Sequence, residues 1–397
     1  MALDPSRLTT EFSTALGAGC FGVVFSGLLD GKTRVAVKEC ADVEGIIDEL
    51  RAHIALSHPS IVVFHGFIRV AEAHDRSFVT LDGRRDTKRF PNGSVLIAME
   101  LLTGGDLYKV IRERPAPTFS QLKKWAMQLA EALSYMHARG FVHGDIKLPN
   151  AMVLDDMAKL VDLGLTKAIG VDEVGLCGTL DHMAPELFGV SGRSTKTDVW
   201  AFGILLYTLF SQRNPYHLHA NKILHTNVSQ RYTLDDAHVT KCLVALVTEG
   251  LRPSIDEDLR AKGQYNADLA ALIKRCLDVK PENRPTAAEL VNALAAIGDA
   301  EPLTTIAPVV PHALGTLHEH ACGTKGCTRP GRFHSLGLYL CVDCEAIELA
   351  RLARPAPAAP IAWSSPSPSY SGYYPTDMGS GPYPNGHYGI RGYFGWP

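Results

Sequence analysis

A segment near the middle of the chain combines carboxylates, a lysine and an amide at short spacing. Residues 143–150 read HGDIKLPN, and Asp162 opens a DLG triplet downstream. Asp145 can accept a proton from a hydroxyl group, and Lys147 can neutralise negative charge on a phosphoryl group. Asn150 and Asp162 carry the oxygen ligands that Mg²⁺ prefers. Phosphoryl transfer needs this set of groups, because positioning and charge neutralisation supply most of its catalysis.

A glycine-rich stretch near the N-terminus suits a phosphate-binding loop. Gly17, Gly19 and Gly22 follow the pattern G-x-G-x-x-G-x-V, in which the absence of side chains lets backbone N–H groups approach phosphates closely. The stretch continues into a second strand-like run at 23–25. This order predicts a hairpin that covers phosphates, whereas a dinucleotide-binding loop leads from a strand into a helix.

A lysine and a glutamate follow the glycine-rich stretch. Lys38 ends the run VAVK, and Glu49 lies in a segment with helical spacing at 42–56. Considered singly, Lys38 is equally well an edge-strand lysine and Glu49 a solvated helix residue. Their position after the glycines favours a different interpretation, because a carboxylate from a packed helix can fix a lysine so that it reaches nucleotide phosphates.

The elements that must position these residues change from strands to helices along the chain. The strand-like runs are 23–25, 34–37, 61–67 and 95–99. Residues 71–94 predict an extended hairpin, for which a solvated tip is favoured over a docking surface. A helix is predicted from the N-cap Ser120 to a stop at Gly140. Its apolar stripe consists of Leu122, Trp125, Leu129, Leu133 and Met136.

Three further motifs complete a set that is typical of one family. They are MAPE at 183–186, DVWAFG at 198–203 and NRP at 283–285. Together with the motifs above, and in the same order, they make residues 8–297 resemble a eukaryotic-type protein kinase domain. The resemblance implies an α+β, bilobal fold, with a small β-rich lobe that holds one helix and a large, mainly helical lobe.

The resemblance also implies roles in phosphate binding and catalysis. The three glycines would cover the ATP phosphates. Lys38, paired with Glu49, would hold the α- and β-phosphates. Asp145 would be the catalytic base that orients the acceptor hydroxyl, and Lys147 would stabilise the γ-phosphate during its transfer.

The metal and adenine sites are implied in the same way. Asn150 and Asp162 would bind Mg²⁺, or Mn²⁺ in its place. Asp198 would anchor the catalytic loop, and Glu186 would form an ion pair with Arg284 in the large lobe. The residues around the adenine would be Val24, Ala36, the gatekeeper Met99, the hinge residues Glu100 to Leu102, and Met152.

The catalytic motif departs from the usual family pattern. Gly144 stands where most kinases have the arginine that binds a phosphorylated activation loop. The segment from Asp162 to Glu186 has only 25 residues, and its hydroxyl-bearing side chains are Thr166 and Thr179. We therefore expect activity that does not depend on activation-loop phosphorylation.

Other stretches indicate the branch of the family. Lys147 and the Gly178-Thr179 segment resemble Ser/Thr kinases, whereas GGDL at 104–107 and the DVWAFG motif resemble their tyrosine-kinase-like branch. The predicted reaction is therefore transfer of the ATP γ-phosphoryl group to Ser or Thr hydroxyls of protein substrates. The alternative is a catalytically silent signalling scaffold, which the presence of the whole catalytic set disfavours.

A cluster of cysteines lies beyond the kinase-like region. Four of the nine cysteines fall within 23 residues and form two pairs, Cys322 with Cys327 and Cys341 with Cys344. Two thiolate pairs are what a tetrahedral structural Zn²⁺ site needs, and a segment this short cannot sustain a core without such a link. Free thiols in a poorly ordered extension are the alternative. Because a closed zinc site is structural, we expect this module to recognise a protein partner.

Composition divides the chain and limits its partners. We predict a kinase domain at 8–297, a linker at 298–316, a zinc-binding module at 317–351 and a disordered Pro/Ser/Gly/Tyr-rich tail at 352–397. The net charge of −3 argues against nucleic-acid binding, and the longest apolar run is too short to cross a membrane. The N-terminus has no apolar signal-peptide core. We expect a cytoplasmic protein, with a nuclear location left open, and a protein partner for the zinc module or the tail.

Overall fold

The computed structural model describes residues 2–19, 22–41, 45–113, 115–170, 178–188, 192–216, 247, 250, 252–300, 332–333 and 339–340. The chain separates into two compact units, and the first comprises Met1–Lys222 and Leu243–Gly315. In the second unit, Arg332–Phe333 pairs antiparallel with Tyr339–Leu340. The four cysteines predicted to bind zinc, the predicted linker beyond residue 300 and the C-terminal tail lie outside the described residues.

A seven-stranded sheet and one helix form the small lobe of the first unit. The strands are β1 (Leu8–Gly19), β2 (Gly22–Leu29), β3 (Thr33–Cys40), β4 (Phe64–Arg69), β5 (His74–Thr80), β6 (Arg85–Phe90) and β7 (Val95–Glu100), and the helix is α1 (Ile46–Ala55). Their order across the sheet is β4-β7-β3-β2-β1-β5-β6. The turn between β2 and β3 has positive φ at Asp30 and Gly31, residue types that tolerate this conformation.

Helices and short strands form the large lobe. Its helices within the described residues are α2 (Leu107–Glu113), α3 (Phe119–Ala138), α4 (Thr195–Ser211), α5 (Ile255–Ala261), α6 (Ala267–Cys276) and α7 (Ala287–Ala296). The strands are β8 (Phe141–Val142), β9 (Ala151–Leu154), β10 (Met157–Leu160) and β11 (Lys167–Ala168). Helix α4 is buried on all sides, which fits its almost uniformly apolar sequence.

Two element boundaries differ from the sequence prediction. Helix α3 begins at Phe119, because Thr118 and not Ser120 is the N-cap: the Thr118 hydroxyl accepts from the Gln121 N–H. Strand β4 begins at Phe64, whereas a strand was expected from Ile61. The predicted end of α3 is confirmed, since Gly140 follows the helix with a φ of 81°. The whole predicted apolar stripe of α3 is buried.

A buried arginine connects separate parts of the large lobe. Arg284 Nη1 and Nη2 donate to the two carboxylate oxygens of Glu186, at 2.6 and 2.8 Å. The same guanidinium donates to the carbonyls of Lys196, Asp278 and Val279. The structure therefore forms the ion pair that the family resemblance implied, and every donor of the buried side chain is used.

The bilobal α+β fold expected from the sequence is confirmed in the first unit. The large lobe packs around one apolar core, in which α3 and α4 bury most of their aliphatic side chains. A second cluster lies where the small-lobe sheet meets the large lobe. Among the helices that the structure describes, none has the length and apolar character needed to cross a bilayer.

Candidate active site

A buried ion cluster joins strand β3, helix α1 and the DLG triplet. Lys38 Nζ donates to Glu49 Oε1 at 2.6 Å and to Asp162 Oδ1 at 2.8 Å. The Lys38 and Glu49 side chains are 8% and 4% exposed, while that of Asp162 is 35% exposed. The structure thus brings together three residues that the sequence had assigned to phosphate and metal binding, and two carboxylates hold the lysine in place.

The cluster shifts the ionisation of its members. Burial alone raises the pKa of Asp162, but the Lys38 charge and hydrogen bond lower it more, to about 2. Burial is the largest single influence on Glu49 and raises its pKa, but the Lys38 charge and the contacts with Lys38 and His53 together outweigh it, so the net shift is downward. For Lys38 itself, burial lowers the pKa, while the charges of Asp162 and Glu49 raise it above its ordinary value. All three side chains are therefore charged at neutral pH.

The residues predicted to surround the adenine share one apolar cluster. Ala36 and Met99 are direct partners in the ladder between β3 and β7. Ala36, Met99 and Leu102 are buried in this cluster, and Val24 and Met152 pack against it from the two lobes. Glu100, which ends β7, uses its side chain elsewhere: both carboxylate oxygens accept from Lys159 Nζ, at 2.8 and 2.7 Å. An apolar surface between two lobes, next to a backbone hinge, can bind a flat aromatic ring.

We call the glycine-rich stretch at 17–22 the phosphate lid, because it is predicted to cover the ATP phosphates. Its three glycines serve different purposes. A Cβ atom on Gly22 would lie 2.3 Å from the Glu39 carbonyl oxygen, so the close approach of β2 and β3 requires glycine at this position. A Cβ on Gly17 or Gly19 would meet open space. Their lack of side chains therefore serves access to the loop backbone, as phosphate binding needs.

The predicted base lies in a network of short contacts. Asp145 Oδ1 accepts from the Thr179 hydroxyl at 2.8 Å, and Asp145 Oδ2 accepts from Asn150 Nδ2 at 2.9 Å. Lys147 Nζ lies 2.8 Å from Asp145 Oδ2 and donates to Thr179 Oγ1 at 2.7 Å. The carboxylate is thereby oriented by three groups, which fixes the position at which it can receive a proton.

Asp198 of α4 anchors the backbone of the loop that carries Asp145. Asp198 Oδ2 accepts from the His143 N–H at 2.8 Å, and Oδ1 accepts from the Gly144 N–H at 2.9 Å. His137 Nε2 also lies 2.9 Å from Asp198 Oδ2. A carboxylate that receives two consecutive backbone donors fixes the local backbone, as the sequence interpretation of Asp198 required.

Comparison with known protein families decides the classification. The family model for the protein kinase domain matches residues 10–294, more than half of the chain. The chain belongs to the protein kinase family. A kinase domain implies the use of ATP and Mg²⁺ and the modification of protein substrates. The kinase fold predicted from the sequence motifs is therefore confirmed.

Individual kinases are similar to this one at moderate identity. Mitogen-activated protein kinase kinase kinase 12 of Rattus norvegicus is 32% identical over 205 residues, which cover 51% of this chain and 20% of the rat protein. An Arabidopsis thaliana leaf rust 10 disease-resistance locus receptor-like protein kinase is 28% identical over 309 residues, 74% of this chain and 42% of its own length. The cytoplasmic tyrosine-protein kinase BMX of Mus musculus is 28% identical over 290 residues, covering 70% of this chain and 38% of that protein. The kinase thus spans less than half the length of these relatives.

Two side chains of the kinase fit a bound Mg²⁺ ion. Asn150 uses its amide nitrogen to donate to the Asp145 carbonyl and carboxylate, and its amide oxygen takes part in neither bond. Asp162 is ionised and partly exposed. Oxygen atoms of this kind suit a hard divalent cation, which when bound would neutralise charge on the ATP phosphates. Over the described residues, no cluster of three His, Cys, Asp or Glu side chains forms a further metal site.

Other contacts of the kinase site were not predicted from the sequence. Lys159 of β10 binds Glu100 across the hinge, and Lys167 Nζ of β11 donates to Asp48 of α1 at 3.0 Å. The second contact connects the start of the activation segment to the helix that carries Glu49. In the sequence, these two lysines cannot be distinguished from surface lysines. Only the packing of the folded chain shows their partners.

Proposed function

We propose that this kinase phosphorylates Ser and Thr residues of proteins. The supporting observation is the network of Thr179 with Asp145 and Lys147, because it places the activation-segment backbone directly beside the base. A substrate peptide lying along this backbone would reach Asp145 with a short hydroxyl side chain. A tyrosine hydroxyl, at the end of a long rigid ring, would need a deeper site.

The proposed residue roles give a balanced phosphoryl transfer. The acceptor hydroxyl gives its proton to Asp145, and its oxygen forms a bond to the γ-phosphorus while the bond to the β,γ-bridging oxygen breaks. ADP leaves with that electron pair. Lys147 would neutralise the charge on the transferring group, and Lys38 would hold the phosphates of the nucleotide.

A peptide array tests the acceptor preference. With ATP and Mg²⁺, the full chain is expected to label peptides with a single Ser or Thr and to leave matched Tyr peptides at background. The Asp145→Asn protein on the same array is the control and should give background signal throughout. Comparable labelling of Tyr peptides would contradict Ser/Thr specificity, and equal signals from both proteins would favour the scaffold alternative.

We also propose that activity does not require activation-loop phosphorylation. Between Asp162 and Glu186 the sequence has only two hydroxyl-bearing residues. Thr166 is 1% exposed, and its hydroxyl faces the His143 carbonyl. Thr179 is engaged with Asp145 and Lys147. Neither hydroxyl is open to an incoming kinase in this conformation.

The position of the missing arginine supports the same proposal. Gly144 has a φ of 82°, and a Cβ atom there would lie 2.8 Å from the Leu165 carbonyl oxygen and 2.9 Å from Arg193 Nη1. Arg193 Nη1 donates to that same carbonyl at 2.9 Å. A basic side chain from the segment before α4 therefore already connects the catalytic loop to the activation segment, without a phosphate group.

Phosphatase treatment tests this independence. The initial rate of peptide phosphorylation by the purified chain is expected to stay unchanged after treatment, because no phosphate takes part in the contacts above. A phosphopeptide added to the same tube confirms that the phosphatase is active. Lost activity that returns after incubation with ATP would show that the proposal is wrong.

The remaining sequence predictions stay proposals. The GGDL and DVWAFG stretches support the tyrosine-kinase-like branch. The spacing of the four C-terminal cysteines supports a structural Zn²⁺ site that binds a protein partner. Composition supports the domain boundaries, the absence of nucleic-acid and membrane partners, and a cytoplasmic location.

A further inference from the structure

The insertion between β4 and β7 adds strands β5 and β6 to the small-lobe sheet, next to β1. Strands β5 and β6 pair antiparallel, and β5 pairs parallel with β1 through Thr14 opposite Val79 and Ala15 opposite Thr80. This contact lies just before Gly17. The hairpin expected at 71–94 is thus present, but its strands continue the sheet that carries the phosphate lid.

One face of this hairpin is packed against the small lobe. Side chains alternate between the two faces of a strand, and Phe78 of β5 and Phe90 of β6 lie on the inner face. Both are buried in a cluster with Phe25 and Ala15 of the neighbouring strands. Phe78 makes an edge-on contact with Phe25, with ring centroids 5.9 Å apart. The hairpin tip that was expected to be solvated is the turn at 81–84, and its exposure continues through residues 85–87 of β6.

Two basic side chains on the same inner face contact the buried carboxylate of Glu39, the residue after Lys38. Glu39 follows Lys38 in β3, points to the opposite face of the sheet and is fully buried. It accepts from Arg76 Nε and Nη2 at 2.9 and 3.1 Å, and His74 Nε2 lies 2.8 Å from its Oε1. Because a buried carboxylate is unfavourable without such partners, the hairpin and β3 depend on each other.

A second basic residue of the hairpin reaches the phosphate lid itself. Lys88 of β6 lies directly opposite Arg76 of β5, and its Nζ donates to the carbonyl of Gly19 at 2.8 Å. Like charges directly opposite each other destabilise a strand pair. Here each cation has a partner in the neighbouring sheet: Arg76 pairs with the Glu39 carboxylate, and Lys88 donates to the Gly19 carbonyl. These contacts link the hairpin to β3 and β1.

We propose that the hairpin of β5 and β6 positions the phosphate lid, and that Lys88 is its positioning residue. By holding the last residue of β1, Lys88 reduces the backbone freedom that the lid must lose when nucleotide binds. Preorganisation of this kind strengthens binding without a new contact to the ligand. The effect on ATP rests on the proposed kinase function, whereas the restraint on β1 does not.

Steady-state kinetics of the full chain test the effect on ATP. Lys88→Met is expected to raise KM for ATP about three- to tenfold, the range of one lost hydrogen bond, with little change in kcat. Lys88→Arg should restore KM, because a guanidinium can donate to the same carbonyl. Arg89→Met is the matched control, since Arg89 lies on the outer face, pairs with Asp75 and is 65% exposed. An unchanged KM in an active Lys88→Met enzyme would overturn the proposal.

Hydrogen exchange tests the restraint on β1 independently of the proposed kinase activity. Backbone amides of β1 are expected to exchange faster in Lys88→Met than in the wild type, while amides of α3 stay unchanged. This measurement needs no activity, so it decides the restraint even if the wild type transfers no phosphate. Equal exchange of β1 in the two proteins would overturn the proposal. A wild type without activity would instead refute the proposed function.

Discussion

Replacing Asp145 by asparagine is expected to lower kcat for peptide phosphorylation about 100- to 10,000-fold, the range that general-base catalysis contributes. Asparagine keeps the shape of the side chain and can still contact Thr179 and Asn150, but it cannot take up the proton of the acceptor hydroxyl. Because Asp145 does not touch the Lys38 cluster, binding of nucleotide should be retained. Rapid-quench measurement of product and binding of a fluorescent ADP analogue check the two halves of this expectation.

A matched variant separates loss of the base from a general effect of removing a carboxylate. Asp256→Asn makes the same chemical change on α5, where the carboxylate is exposed and pairs with Lys274. It should leave kcat unchanged. If Asp145→Asn and the wild type transferred phosphate at equal rates, Asp145 would not be the base.

Replacing Lys38 by methionine is expected to reduce phosphoryl transfer about 100- to 1,000-fold, as the loss of one preorganised electrostatic contact does elsewhere. The same change removes the cation from between Glu49 and Asp162. Leaving one partner of a buried ion pair without its counter-charge costs about 3–5 kcal/mol of unfolding free energy. Peptide phosphorylation assays and thermal unfolding of the same preparations measure the two effects. Lys32→Met, in the exposed turn before β3, is the control and should change neither.

The pH dependence of stability distinguishes the loss of the Lys38 counter-charge from simple misfolding of the Lys38→Met variant. In the wild type, the lowered pKa values of Glu49 and Asp162 give stability that is complete above the unfolded-state pKa of about 4. This stability is lost as the pH falls towards 2. Without Lys38, burial dominates and raises the pKa of Glu49, so protonation then favours the folded state.

The melting temperatures should therefore converge in acid. The difference between wild type and Lys38→Met is expected to be larger at pH 8 than at pH 5, because burial raises the pKa of Glu49 in the variant and its protonation becomes easier as the pH falls. Lys32→Met should follow the wild type at every pH. A difference that does not depend on pH would mean that the charge of Glu49 is not what destabilises the variant.

The residues of the catalytic set could be found in the sequence because they occur in short segments. Asp145, Lys147 and Asn150 are five residues apart at most, and a loop of this length keeps them together in any fold that forms it. Lys38 lies near the end of β3 and Glu49 in the first turn of α1, so only a short stretch of chain separates them. The family model over residues 10–294 confirms the class of protein that these segments predicted.

Contacts between distant elements could not be found in this way. Glu39 looks like a surface residue of β3 in the sequence, yet it is fully buried, because the inserted hairpin continues the sheet and folds over that face. Arg193 and Gly144 are distant in sequence, and only the packing of α4 against the catalytic loop brings Arg193 Nη1 within 2.9 Å of the position that a Cβ of residue 144 would take. The role of residues 71–94 was open for the same reason.

The sequence by itself therefore indicated that the chain is a protein kinase, that Lys38 pairs with Glu49, and that Asp145, Lys147 and Asn150 lie close together. The tertiary structure alone decided which charges are buried, which hydroxyls are shielded and which inserted element touches the phosphate lid. The physical reason is the separation along the chain of the residues that determine each property. Motif chemistry depends on covalent spacing over a few residues, whereas burial and ion pairing depend on which remote strands and helices pack together.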